Sequence, residues 1–177
     1  MQELEEKNPE MVFLLRVTAV VCFYVAAVSV LDAFMGLFSY WAYVSDKVDA
    51  AQFPEWFTDL QEINKSPYSF LALSLYNIML WNGVILCSIW LLRYHNWARK
   101  TLQSLLGFDM IVTVTHLLWN TYTKSDTIEH PWWYIFFNIL QVLAIFALSY
   151  PQMVELTEQR LLQRENLYPP SKDSKLR

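Results

Sequence analysis

The chain has 177 residues, is 55% hydrophobic and 16% aromatic, and carries only 3 glycines, which is too apolar for an ordinary soluble domain of this length. Its formal net charge of −4 gives no electrostatic basis for nucleic-acid binding. The 2 cysteines, Cys22 and Cys87, lie inside apolar tracts, so they read as small buried hydrophobes rather than a disulfide framework.

Four apolar tracts separated by short charged stretches cover residues 12–44, 70–92, 102–122 and 132–150. Each matches or exceeds the ~20 residues that cross a ~30 Å hydrocarbon core as a helix. Barrel strands would be about ten residues long and alternate polar with apolar, and four of them cannot close. The expected fold is therefore an all-α integral membrane protein, a single domain over 1–177 built as a four-span up-down bundle.

The first tract follows Glu3, Glu5, Glu6 and Glu10 and lacks a small-residue exit, so it reads as a retained helix and not a cleavable signal. Along it Ala19, Cys22, Ala26, Ser29, Ala33 and Gly36 recur alternately three and four apart. Such a seam of small side chains lets helices approach closely where lipid supplies no hydrophobic drive to associate. Asp32 flanks the seam, and the expectation is that it points toward a neighbouring helix or a partner.

In the following loop Phe53, Trp56, Phe57, Leu60 and Ile63 recur at helical spacing, which predicts an amphipathic helix over 54–64 that lies on the outer membrane surface, caps the bundle or docks a partner. The second and third tracts are joined by the short basic turn "LLRYHNWARK". After Pro151 a helix-forming stretch over 152–167 predicts that the fourth helix continues into the cytoplasm beyond a kink. Residues 168–177 hold only Tyr168 and Leu176 as large apolar side chains, too little to order them, and are expected to be a flexible basic tail.

Charge sets the orientation. With the N-terminus inside, Lys7, Arg16, Arg93, Arg99, Lys100, Arg160, Arg164, Lys172, Lys175 and Arg177 are inner, and only Lys47, Lys65 and Lys124 are outer. That bias predicts both termini in the cytoplasm.

Polar residues recur within the tracts at two depths. Counted at ~1.5 Å per residue from the basic residues, and from Pro151 on the fourth helix, Asp109, Asn82 and Gln141 lie roughly 13 to 17 Å above the inner boundary, with Tyr24 close to that level. His116, Asp32, Asn77 and Asn138 lie at about 20 to 24 Å. Asp109, Thr113, His116 and Asn120 share one face of the third helix. Asp109 is expected to meet Asn82, Gln141 or Tyr24, and His116 to meet Asp32.

Asn and Gln inside spans commonly bond neighbouring helices, at ~0.6 kcal/mol each. An ionisable group there costs ~2.5 to 3.5 kcal/mol even on the lenient scale, so Asp32, Asp109 and His116 carry the functional signal. No CxxC, HxxxH or HExxH spacing supports a metal, and neither a nucleophile motif nor a phosphate loop is present, so no cofactor and no enzymatic activity are expected. Two functional expectations follow. One is an accessory, scaffold or assembly subunit that packs against a protein partner or a second copy through helix 1 and the outer amphipathic helix. The other is a small carrier or proton- or ion-conducting protein using Asp32, His116 and Asp109.

Overall fold

The computed structural model describes residues 9–45, 67–123 and 131–158. The outer helix expected over 54–64, the tail 168–177 and positions 159–167 of the extension lie outside the described residues. Helix α1 spans Pro9–Val44, α2 Pro67–Leu91, α3 Asn96–Thr123 and α4 Pro131–Ser149, and a short α5 covers Pro151–Glu158. There is no strand among the described residues.

Every helix but α3 opens on a proline. The first helical N–H has no intrahelical acceptor, so the ring costs nothing there and its fixed φ favours the start. Pro67 accordingly begins α2, three residues before the apolar tract. At Pro151 the same chemistry breaks a helix in progress: α4 and α5 meet at a bend of 60°. Beyond the bend Met153 and Leu156 are buried in the same apolar cluster as Val12, Leu15 and Tyr94. The first turns of the expected extension thus fold back across the end of the helices rather than projecting away from them.

Helix α1 packs most extensively on α2, α2 on α3, and α3 on α4, which also touches α1. In the α1/α2 interface the seam is internal: Ala19, Cys22, Ala26, Ala33 and Gly36 are buried and Ser29 is half-buried. A Cβ on Gly36 would lie 3.1 Å from Ser74 Oγ and 3.3 Å from Phe70 Cζ, so this position is glycine because the α2 side chains come that close. At the other end Arg16 donates to Tyr94 Oη at 3.3 Å. The apolar core concentrates at that end, where Leu15, Val84, Leu91, Leu102 and Leu148 are sealed off.

The α2–α3 turn ends α2 with two bonds, His95 N–H to Trp90 O at 3.3 Å and Tyr94 N–H to Leu91 O at 2.8 Å. This pairing defines a Schellman cap, which requires a left-handed residue at its centre. Tyr94 takes that place with φ of 59°, where glycine is usual and a side chain costs about 1–2 kcal/mol. Its ring offsets the strain by burial among Val12, Leu15 and Leu91.

Candidate functional site

Three helices meet at Asp109. It sits on α3 at 7% exposure, accepts from Gln141 Nε2 of α4 at 2.6 Å on Oδ2, and accepts from Tyr76 Oη of α2 at 3.2 Å on Oδ1. Of the three partners expected for it, only Gln141 is there. Asn82 is exposed and donates to Ile78 O of its own helix at 2.7 Å, and Tyr24 is 69% exposed on α1.

Tyr76 is the partner that the depth count missed. The count began at Lys100, but α3 begins at Asn96, so the marker lay a full turn inside the helix. Measured from the helix ends beside the turn, Asp109 and Tyr76 both stand about 20 to 22 Å up at ~1.5 Å per residue. The Tyr76 ring also lies beside that of Phe108, tilted by 59° with centroids 6.1 Å apart.

Asp32 and His116 do not form the expected outer pair. Both are exposed, and Asp32 makes no hydrogen bond or ion pair among the described residues. The reason is angular. One position away from the buried Ala33 is a ~100° turn about the helix, which carries Asp32 off the α2 interface. Asn77 and Asn138 are half-buried. With Val114, Leu117, Ile139, Val142 and Leu143, Asn138 lines an apolar groove of ≈ 350 Å³ between α3 and α4.

A second polar network braces the bend. Arg99, at 4% exposure, donates to Leu148 O at 3.1 Å and to Asn96 Oδ1 at 2.9 Å. Gln103 Nε2 donates to Ser149 Oγ at 2.8 Å. Pro151 has no N–H, so the last turn of α4 has carbonyls to satisfy, and a cation there also suits the negative end of the helix dipole. A charge count treats Arg99 as a surface marker, and its burial shows it to be a cap.

Most other polar side chains in the helices satisfy themselves locally. Ser29, Ser39, Ser88 and Thr115 each donate to the carbonyl four residues back, which makes a hydroxyl tolerable in apolar surroundings. No group of three or more His, Cys, Asp or Glu side chains is placed to hold a metal ion among the described residues.

Among the described residues three helices are long and apolar enough to cross a membrane, and a fourth qualifies if α4 and its bent continuation form one span. Large apolar side chains such as Phe13, Leu31, Met79, Ile111, Leu118 and Phe146 point outward on them. The arrangement is that of an all-helical chain consistent with a multi-pass membrane protein. The chain matches no family model, and no curated protein or solved structure is significantly similar to it.

Proposed function

We propose that the chain is a four-span, up-down integral membrane bundle with both termini cytoplasmic, and that it acts without catalysis, as an accessory, scaffold or assembly subunit. Its association runs through helix packing with a partner or a second copy. The observation that carries this reading is the outward Asp32 in the long apolar helix α1. A charged side chain facing lipid at that depth costs ~2.5 to 3.5 kcal/mol. A neighbouring helix that donates to it removes the cost, and gives α1 a polar contact point within an otherwise apolar face.

Since the seam is consumed inside the chain by α2, the associating surface is the face bearing Val28, Leu31, Asp32 and Met35, all exposed. The up-down reading is supported by contact order: Arg16–Tyr94 and Gly36–Ser74 run oppositely along α1 and α2. Gln103–Ser149 and Asp109–Gln141 do the same along α3 and α4. Conduction through Asp32, His116 and Asp109 has weaker support, because Asp32 joins no hydrogen-bonded chain among the described residues.

A photo-cross-linking side chain at position 35, in native membranes, tests the reading. A discrete protein adduct that disappears with Asp32→Leu is expected. Adducts with lipid alone, unchanged by Asp32→Leu, would overturn it.

A further inference from the structure

We infer that Asp109 is a proton-binding site: its carboxyl is held as the neutral acid, and one proton joins α3 to α4 while Tyr76 ties in α2. In this arrangement Oδ2 donates to Gln141 Oε1, and Oδ1 accepts from Tyr76 Oη.

Five observations converge on it. The carboxyl is buried at 7% exposure, and among the described residues its hydrogen-bond partners are a phenol and an amide, both uncharged. No Lys, Arg or His pairs with it among the described residues. The Gln141 contact at 2.6 Å is shorter than the roughly 2.7–3.2 Å of an amide N–H···O bond and falls in the range of an O–H···O bond. The Tyr76 contact at 3.2 Å is longer than the about 2.5–2.7 Å expected when a hydroxyl donates to an ionised carboxylate.

The amide of Gln141 supplies the rest. Gln141 is 6% exposed, and its Oε1 is buried with no hydrogen-bond partner among the described residues. The nitrogen and oxygen of a glutamine amide have nearly the same shape, and the hydrogen-bond network decides between them. Turning the amide over sets Oε1 against Oδ2, where the acid proton gives it a donor. A carboxylate would instead keep Nε2 turned to Oδ2, leaving Oε1 as the buried orphan.

Among the described residues the groups bonded to Asp109 are Tyr76 from α2 and Gln141 from α4, neither an acid nor a cation at neutral pH. Deprotonation places a charge between three helices and turns the Gln141 amide so that Nε2 donates to Oδ2. Proton occupancy therefore sets the direction of the Asp109–Gln141 bond, while Arg99–Leu148 and Gln103–Ser149 hold α3 to α4 in either state.

Infrared spectra of the full chain in lipid bilayers at neutral pH test this. The wild type should show a protonated-carboxyl C=O stretch that is absent in Asp109→Asn, a variant that keeps a neutral side chain with a donor and an acceptor. A spectrum with no such difference would overturn the assignment. If the Asn variant does not fold, Gln141→Leu serves instead. Loss of the hydrogen bond should move the stretch to higher frequency, and an unshifted band would contradict the Asp109–Gln141 acid bond.

Discussion

The guanidinium of Arg99 donates to the main-chain carbonyl of Leu148 at 3.1 Å, so a cation from the start of α3 closes the end of α4 where Pro151 interrupts it. Arg99→Ala should lower stability by about 1.5–3 kcal/mol, the usual worth of a hydrogen bond to a charged group. Arg99→Lys should recover only part, since an ammonium cannot hold Leu148 O and Asn96 Oδ1 in one planar fork. Denaturant unfolding in lipid–detergent micelles measures both, and an Ala variant as stable as the wild type would count against the cap.

Two glycines should respond oppositely to added bulk. Gly36 lies against Ser74 and Phe70, so Gly36→Leu should overpack the α1/α2 interface and cost about 1–3 kcal/mol. Gly107 has nothing within 4 Å of an added Cβ, and Gly107→Ala should stabilise α3 by about 0.5–1 kcal/mol. Thermal unfolding of the two variants side by side checks the contrast.

Tyr94 holds a strained backbone through its ring. Tyr94→Phe keeps the ring and loses the bond from Arg16, an expected cost of about 0.5–1.5 kcal/mol. Tyr94→Gly relieves about 1–2 kcal/mol of left-handed strain but forfeits the buried ring, worth about 3–5 kcal/mol in comparable deletions. Melting temperatures should therefore fall in the order Tyr, Phe, Gly; a glycine variant more stable than the wild type would show that the ring does not hold the turn.

The long apolar helices were legible because hydropathy over ~20 residues is a property of composition, independent of partners. The kink was legible because Pro151 lacks a donor wherever the chain goes. Gln141 beside Asp109 comes from counting helical rise. Tyr76 does not, because Lys100 lies one turn inside a helix that begins at Asn96, and a depth counted from it is too shallow.

Asp32 shows a different boundary. Its depth follows from the sequence, but its direction depends on which side of the seam α2 occupies. Arg99 was hidden for a related reason: a charge count cannot distinguish a side chain in solvent from one buried at 4% exposure over a broken helix end.

The most direct test of helix-mediated association through the Asp32 face is the mass of the particle released from bilayer nanodiscs made from native membranes. The wild-type chain should emerge bound to a partner chain or a second copy, and Asp32→Leu should emerge alone while remaining folded. A lone chain in both cases, or the same complex in both, would contradict the account.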